Sequence, residues 1–439
     1  MSEHKTETQT PEDSTPKQRV PRRRFVGSRK DQSSADPSSS TTSSLIPSSR
    51  PKRTIGRAAL QIPPEILNDE ALNQAIKLLP SNYNFEIHKT IWNIRKQNAK
   101  RVALQMPEGL LIYSLIISDI IQEFCEGVEV IVMGDVSYGA CCIDDYTARS
   151  LECDFIVHYA HSCLVPIDIT LIKVLYIFVT INIDEIHLIN TIKRNFAEGS
   201  KIATFGTIQF NPTIHAIKQP LLDQAGILTI PPQISPLSKG EVLGCTSQRL
   251  DAGDIDAMIY VGDGRFHLES AMIHNPDIPA YRYDPYSRKF TREHYDQKQL
   301  GEVRRHAVDQ ARDGKVVGLV LGALGRQGSL ATLENLETKL TKQGKTVIRI
   351  ILSEIFPQKL SLFDNIDYFV QVACPRLSID WGYAFHQPLL TPYEAMVMLG
   401  EDQMWEAEKG GVYPMDYYGK EGYGRGKVPD HKALFATES

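Results

Sequence analysis

Residues 101–124, which read RVALQMPEGLLIYSLIISDIIQEF, combine a short apolar strand, a turn that contains Gly109, and an amphipathic helix. The same order recurs from Lys201, as KIATFGTIQF, and from Val316, as VVGLVLGALGRQG. The pattern predicts helices at Leu110–Phe124 and Ser329–Gln343, second strands at Val128–Met133, Gly226–Ile230 and Thr346–Ile351, and third strands at Asp154–Tyr159, Ala257–Val261 and Tyr368–Val372. Alternating short strands and helices predict parallel sheets that are covered on both faces.

The repeat predicts the domain organisation. At roughly 150 residues per domain, 439 residues suggest about three domains. We expect a disordered Ser/Pro-rich, basic tail at 1–55, followed by three related small α/β domains at 56–195, 196–300 and 301–405. The Gly- and Tyr-rich extension at 406–439 is expected to lie against a partner or a domain surface.

Composition excludes several classes of protein. The net charge of −5 gives no general electrostatic reason to bind nucleic acid or an anionic membrane. The most apolar region, Leu164–Ile189, is interrupted by charged residues and does not read as a membrane span. The N-terminus lacks a secretory signal, and seven cysteines are too few and odd in number for a small disulfide scaffold. We therefore expect a cytoplasmic protein.

Three cysteines occupy turns near the predicted strand ends. These are Cys141 and Cys245, each after the second strand of its repeat, and Cys374, after the third strand of the last repeat. Because ligands bind at the carboxyl ends of strands in α/β sheets, three packed domains could bring these thiols together as a metal site. The opposing interpretation is that lone cysteines are ordinary core residues. Cys142 is a possible substitute for Cys141, although successive side chains usually diverge.

The other cysteines and two loops complete the candidates. Apolar surroundings assign Cys125, Cys153 and Cys163 to packing. The loop 322–328, GALGRQG, follows a strand and precedes a helix, so its amides and Arg326 could hold an anionic ligand, or it could be an ordinary turn. The loop GDGRF, which contains Asp263 and Gly264, is a weaker candidate.

Five motifs in this order, GDVSYGACCIDD, LGCTS, VGDGRFH, LGALGRQG and VACPRLSIDWG, make the chain resemble the diphthamide biosynthesis family over roughly residues 60–400. The resemblance implies three α/β domains around a central 4Fe-4S cluster that is bound by Cys141, Cys245 and Cys374. It also implies a radical enzyme without a CxxxCxxC motif, and the sequence lacks that motif. The complete set of three cysteines matches subunit 1 of the eukaryotic enzymes.

The resemblance further implies a reaction. Such enzymes cleave S-adenosylmethionine at the bond between sulfur and the methionine Cγ, and add the 3-amino-3-carboxypropyl group to a histidine of translation elongation factor 2. Arg326, Gln327 and Gly328, with Asp263 and Gly264 behind them, are the candidates for binding the cosubstrate. The expected partners are a related subunit 2 in a heterodimer, elongation factor 2 as substrate, and a small iron-containing electron donor.

Two alternatives stay open from the sequence. An enzyme that resembles quinolinate synthase would combine the same three-domain plan and three-cysteine cluster with Lewis-acid chemistry. An interaction subunit without enzymatic activity would use its cysteines structurally or to bind zinc.

Overall fold

Three larger β-sheets organise the computed structural model, which describes residues 62–134, 139–159, 164–405, 411–420 and 422–425. The predicted tail at 1–55 lies outside the described residues. So do positions 135–138 of the first cysteine motif, Cys163, and residues 406–410, 421 and 426–439 of the predicted C-terminal extension.

The strands of the described residues follow the repeat of the sequence. They are β1 (Tyr83–Asn84), β2 (Arg101–Gln105), β3 (Glu129–Val132), β4 (Phe155–Tyr159), β5 (Lys173–Ile177), β6 (Thr180–Ile181), β7 (Lys201–Gly206), β8 (Leu228–Ile230), β9 (Ala257–Val261), β10 (Ala280–Asp284), β11 (Lys289–Glu293), β12 (Val316–Gly322), β13 (Thr346–Leu352), β14 (Tyr368–Val372) and β15 (Leu389–Leu390).

Helices connect and cover these strands. They are α1 (Pro64–Leu67), α2 (Glu70–Ile76), α3 (Ile87–Gln97), α4 (Glu108–Leu111), α5 (Ser114–Phe124), α6 (Asp145–Ser150), α7 (Glu185–Asn195), α8 (Asn211–Ala216), α9 (Lys218–Ala225), α10 (Phe266–His274), α11 (Gln297–Arg312), α12 (Leu330–Lys342), α13 (Pro357–Leu360), α14 (Pro375–Trp381) and α15 (Pro392–Met398). Within the described part of the chain, none of the helices is both long and apolar enough to cross a membrane.

The three sheets share one strand order. The first sheet runs β3-β2-β4-β5, the second β8-β7-β9-β10-β11, and the third β13-β12-β14-β15. In each sheet the second strand of the repeat lies at one edge, next to the first strand. The third and fourth strands lie on the opposite side of the first strand. The strand order reverses between the first and third strands, and in open α/β sheets ligands bind beside that point, at the carboxyl ends of the strands.

The α/β fold that the sequence predicts is confirmed, and all nine predicted strands are present to within two residues at either end. The central strands β4, β9 and β14 are buried along their whole length, as parallel strands between helices require. The domain boundaries after residues 195 and 300 stay predictions.

Two local expectations need correction. The single helix predicted at Leu110–Phe124 is divided into α4 and α5 by a turn at Ile112–Tyr113, and the Tyr113 ring centre lies 5.4 Å from that of Phe85. The second sheet is also not purely parallel, since β11 folds back on β10 in antiparallel register, whereas the strand pairs of the first and third sheets are parallel. Cys125 and Cys153 are buried in the cores that flank the first sheet, which confirms their assignment to packing.

A buried ion pair joins the helices of the third sheet. Arg304 of α11 donates to both carboxylate oxygens of Glu394 in α15, at 2.7 Å each, and to the carbonyl of Leu389 at 2.7 Å. Both charged side chains are almost fully buried, at 1% and 0% exposure. Glu394 also accepts a hydrogen bond from the Tyr413 hydroxyl at 2.9 Å, so the pair ties the C-terminal residues to the same helices.

We expect Arg304→Met to lower the free energy of unfolding by about 3–5 kcal/mol, because it leaves the Glu394 carboxylate buried without its cation. Urea unfolding measures the loss. Lys298→Met is a matched control on the same helix, since Lys298 is exposed and pairs weakly with Glu302 at 3.8 Å. The control should change stability by less than about 0.5 kcal/mol. Equal effects of the two substitutions would contradict a structural role for the buried pair.

Candidate functional site

The three predicted cysteines follow strands of three different sheets. Cys141 lies in a short 3-10 helix, Ala140–Cys142, in the connection after β3. Cys245 lies in the connection after β8, where its carbonyl accepts a hydrogen bond from the backbone N–H of Tyr417 at 3.1 Å. Cys374 comes directly before α14 and after β14. Each thiol therefore belongs to a segment that leaves the carboxyl end of a parallel strand, where α/β sheets bind ligands.

The structure brings these three thiols into one buried region. Burial raises the pKa of Cys245 well above its usual range, and the nearby Cys374 and Cys141 raise it further. Burial likewise raises the pKa of Cys374 to about 12, with Cys141 as the next cause. Cys245 is thus near both Cys374 and Cys141, and Cys374 is near Cys141.

Cys141 and Cys142 do not diverge as expected. Their Sγ atoms lie 3.8 Å apart, and the hydrogen bond between them, followed by burial, raises the pKa of Cys141 well above its usual range. Successive side chains usually diverge, but these two residues lie in a tight 3-10 turn, where their thiols stay close together. Cys142 is buried, while Cys141 lines the cavity described below.

The spacing of the donors bears on the kind of metal group. Among the described residues, no three His, Cys, Asp or Glu side chains converge closely enough to hold a single metal ion. A four-iron cluster makes a different demand, because each cysteine ligates a separate iron and the sulfurs stay apart. The thiol chemistry of the three donors fits such a cluster.

The glycine loop 322–328 lies between two of the cysteine segments. Gly325 has φ +54°, and a Cβ atom there would lie 2.5 Å from the Ile143 carbonyl oxygen. A Cβ atom on Gly322 would lie 2.5 Å from that of Ala373, the residue before Cys374. These close approaches require glycine, since any side chain would separate the segments that carry Cys141 and Cys374.

Arg326 joins the first and third sheets. Its Nε and Nη2 donate to the two carboxylate oxygens of Asp145 at 2.7 Å each, and its guanidinium carbon lies 4.7 Å above the Tyr146 ring centre. Burial raises the pKa of Asp145, but the hydrogen bonds from Arg326 and from the Leu171 N–H outweigh it and hold the pKa below the usual range. The sequence identified Arg326 but not its carboxylate partner.

Arg376 joins the second and third sheets, and sequence reasoning missed this role. Its Nη1 donates to the carbonyls of Gly244, at 3.1 Å, and Phe266, at 2.7 Å. Its Nη2 donates to Glu269 and its Nε to Asp380. Only 3% of the side chain is exposed, so this buried cation lies beside the segments of both Cys245 and Cys374. The signal in the sequence was a basic residue two positions after Cys374, in VACPR.

Two buried glutamines hold the cysteine segments. Gln105, at the end of β2, donates to the Cys142 carbonyl at 2.8 Å, and its oxygen accepts from the Asp144 N–H at 3.1 Å. Gln371, in β14, donates to the Cys374 carbonyl at 3.0 Å. A polar amide near the end of an otherwise apolar strand, as in RVALQ and YFVQV, is the signal that could have identified both.

A cavity of about 580 Å³ opens beside Cys141. Its polar and glycine lining is supplied chiefly by Gly322, Arg326, Gly328, Tyr418 and Arg425. This volume lies within the usual range for a small-molecule site, roughly 300–1,000 Å³.

The remaining candidates lie outside this lining. Gln327 is not among the lining residues, although its carbonyl accepts a hydrogen bond from the Tyr418 hydroxyl at 3.4 Å. Asp263 and Gly264 are exposed in the loop after β9 and do not line the cavity.

Comparison with known proteins identifies relatives of this arrangement. A family model described as a diphthamide synthesis protein matches residues 106–410. The 2-(3-amino-3-carboxypropyl)histidine synthase subunit 1 of Kluyveromyces lactis is 74% identical over 389 residues, which cover 88% of this chain and 91% of the relative. The protein of that name from Saccharomyces cerevisiae is 69% identical over 389 residues, with the same coverage of 88% and 91%.

Solved structures agree with the fold. The crystal structure of Dph2 from Pyrococcus horikoshii superposes with a TM-score of 0.62 at 24% identity, over 76% of this chain and 93% of that one. The structure of that protein with a 4Fe-4S cluster gives a TM-score of 0.62 at 25% identity, over 76% and 97%.

We expect Gly325→Ala to destabilise the protein more than Gly344→Ala does. Both glycines have left-handed backbone, which costs about 1–2 kcal/mol for alanine, but a Cβ atom on Gly344 would meet nothing within 4 Å. The added methyl group at 325 must also displace the Ile143 carbonyl. Urea unfolding of the two variants measures the difference, and equal losses would show that the loop does not depend on this close approach.

We expect Asp145→Asn to lower the free energy of unfolding by about 3 kcal/mol at neutral pH, because it removes the anion that faces a largely buried Arg326. The pKa of Asp145 is lower in the folded than in the unfolded chain. Its contribution is therefore fully present above the unfolded pKa of about 4 and is lost as pH falls through the folded pKa.

Unfolding measured from pH 7 downward should thus show the difference between Asp145→Asn and the unchanged protein shrinking below about pH 4. Asp309→Asn is the control, since Asp309 is 57% exposed in its pair with Arg312. A loss for Asp145→Asn that is independent of pH would contradict the electrostatic explanation.

Proposed function

Because the chain belongs to the diphthamide synthesis protein family, we propose that it is the catalytic subunit of a 3-amino-3-carboxypropyltransferase. The group passes from S-adenosylmethionine to a histidine of translation elongation factor 2 by a radical mechanism, as the first step of diphthamide biosynthesis. One observation carries the proposal: three thiols from three sheets share a buried region that adjoins a cavity of about 580 Å³.

The donor set fits a 4Fe-4S cluster held by Cys141, Cys245 and Cys374. Thiolates are the ligands that such clusters take, and three of them leave one iron open. When bound, the cluster supplies that open iron and the electron that breaks the bond from sulfur to Cγ. The related Dph2 of Pyrococcus horikoshii has been solved with a 4Fe-4S cluster, which supports this assignment.

The cavity provides the place for S-adenosylmethionine. Arg326 and Gly328 line it, which supports their assignment to cosubstrate binding, and Arg425 adds a second cation to its wall. Two of the Arg326 donors are engaged by Asp145, so its guanidinium is held in a fixed orientation. A cation fixed in this way attracts the cosubstrate carboxylate without having to reorganise first.

The structure makes Gln327, Asp263 and Gly264 weaker candidates for binding the cosubstrate. Gln327 faces the Tyr418 hydroxyl with its carbonyl, so we assign it to holding the loop in place. Asp263 and Gly264 lie on an exposed loop, where contact with a protein substrate is a better proposal than contact with the cosubstrate.

The site residues also hold the reacting groups together and exclude water from them. Cys245 is 9% exposed, and Arg376, Gln105 and Gln371 hold the segments that carry the thiols. A site that excludes water protects reactive species from side reactions and strengthens local electrostatic interactions. These residues position the thiols and do not themselves exchange protons with the substrate.

We propose the same partners that the sequence implied. They are a related subunit 2 in a heterodimer, elongation factor 2 as the protein substrate, and a small iron-containing electron donor in the cytoplasm. The relatives carry the name subunit 1, which supports an assembly of several chains. The product in their name, 2-(3-amino-3-carboxypropyl)histidine, favours a transferase over both the Lewis-acid enzyme and the interaction subunit.

We expect Cys374→Ala, like Cys141→Ala and Cys245→Ala, to lose bound iron and to lower transfer by at least roughly 100-fold, because each substitution removes one cluster ligand. The measurement uses protein purified anaerobically with its partner subunit, reduced, and supplied with labelled S-adenosylmethionine and elongation factor 2.

Cys153→Ala is the matched control, since Cys153 is a buried core thiol and should keep its iron content and turnover. Cys142→Ala distinguishes the two adjacent thiols and should retain the iron that Cys141→Ala loses. Normal transfer by a correctly assembled Cys374→Ala enzyme would refute the proposed function.

A further inference from the structure

The described part of the C-terminal extension, residues 411–420 and 422–425, covers the cysteine region. We call it the C-terminal segment. Its Asp416 pairs with Thr246, the residue after Cys245, and the Tyr418 N–H donates to the Thr246 hydroxyl at 2.9 Å. The Ser247 N–H donates to the Met415 carbonyl at 2.7 Å. The match to the family model ends at residue 410, before this segment.

Tyr417 is a residue of the C-terminal segment that packs beside Cys245. Its side chain is 6% exposed and packs in the same core cluster as Cys245. A small cavity of about 20 Å³ is lined by Tyr417 together with Cys245 and Pro375, the residue after Cys374. Tyr417 thus lies against the segments of two of the three candidate ligands.

The Tyr417 hydroxyl has no hydrogen-bond partner among the described residues. Burial raises the pKa of this phenol well above its usual range, and Cys245, Cys374 and Cys141 raise it further, in that order. The Tyr417 side chain lies in the same core cluster as Cys245 and lines the small cavity that Cys245 and Pro375 also line. Buried polar groups almost always have a hydrogen-bond partner. The unpaired Tyr417 hydroxyl therefore indicates that a group bound at the cysteines supplies the acceptor.

Tyr418 lies beside Tyr417, but its hydroxyl has a hydrogen-bond partner. Its ring makes an edge contact with that of Tyr417 at 5.0 Å, and its hydroxyl approaches the Gln327 carbonyl at 3.4 Å. Tyr418 lines the larger cavity next to Cys141, whereas Tyr417 does not. Both tyrosines adjoin the thiols, since the Tyr418 side chain also hydrogen-bonds the Cys141 thiol, but of these two described residues only Tyr417 has a hydroxyl without a hydrogen-bond partner.

We propose that Tyr417 donates a hydrogen bond to a sulfur of the cysteine-bound cluster, so that the C-terminal segment sets how easily the cluster is reduced. This inference rests on the proposed function because it needs the cluster in place. A hydrogen bond to sulfur stabilises the more negative, reduced state, and therefore raises the reduction potential. Removing the hydroxyl should make the cluster harder to reduce while leaving the three ligands intact.

The test compares Tyr417→Phe with the unchanged full-length protein carrying its cluster, together with its partner subunit. Potentiometric titration followed by electron paramagnetic resonance measures the reduced fraction. We expect unchanged iron content and a ratio of reduced to oxidised cluster that is roughly fivefold lower at a fixed potential, the effect of losing one net hydrogen bond. Tyr423→Phe is the control, because its hydroxyl donates to Asp402 at 3.0 Å in the same segment.

A second variant is expected to shift the midpoint potential in the opposite direction. It tests the inference even if Tyr417→Phe folds poorly. Placing 3-fluorotyrosine at position 417 keeps the ring and makes the hydroxyl a stronger donor. It should shift the midpoint potential upward, opposite to Tyr417→Phe.

The outcomes separate this inference from the proposed function. Opposite shifts for the two changes at 417, with none for Tyr423→Phe, support the inference. A potential and spectrum that neither change at 417 alters would overturn it while leaving the proposed function intact. If the unchanged protein assembles no cluster, both the inference and the proposed function fail.

Discussion

The close approach of the glycine loop 322–328 to two other chain segments is the constraint on which the site depends. Gly325 lies against the Ile143 backbone, and Gly322 lies against Ala373. Cys141 and Cys374 can share a buried region only if nothing larger than hydrogen occupies these two positions. The strand order makes this close approach possible. β12 and β14 are parallel neighbours, so the loop after β12 and the Cys374 segment after β14 leave the same edge of the sheet, where ligands bind in α/β folds.

Charged side chains then fix the sheets relative to one another. Arg326 binds Asp145 across the first and third sheets, and Arg376 binds Gly244 and Glu269 across the second and third. Both guanidinium groups make several directed hydrogen bonds, which lysine in the same place could not reproduce. Because these pairs are buried, they contribute to orientation more reliably than to net stability. Arg376 also places positive charge near Cys245 and Cys374, which favours the thiolate form of both.

The C-terminal segment completes the enclosure. In the sequence it reads as a Gly- and Tyr-rich stretch without periodicity, which suggested contact with a partner or a domain surface. In the structure it pairs with Thr246, covers Cys245, and supplies the wall of the cavity through Tyr418. Because this segment pairs with Thr246 and lines the cavity beside Cys141, the finished site joins parts of the chain that are far apart in sequence.

The sequence by itself determined the strands, their repeat and the identity of the candidate thiols, because apolar periodicity and turn residues act over a few neighbouring positions. It also singled out Arg326 and the glycine loop. It did not assign Asp145 as the partner of Arg326, the roles of Arg376, Gln105 and Gln371, or the position of Tyr417. Arg326 and Asp145 lie 181 residues apart, and no local pattern records such a pairing. The tertiary structure decided these contacts, because they depend on how three separately patterned sheets pack against one another.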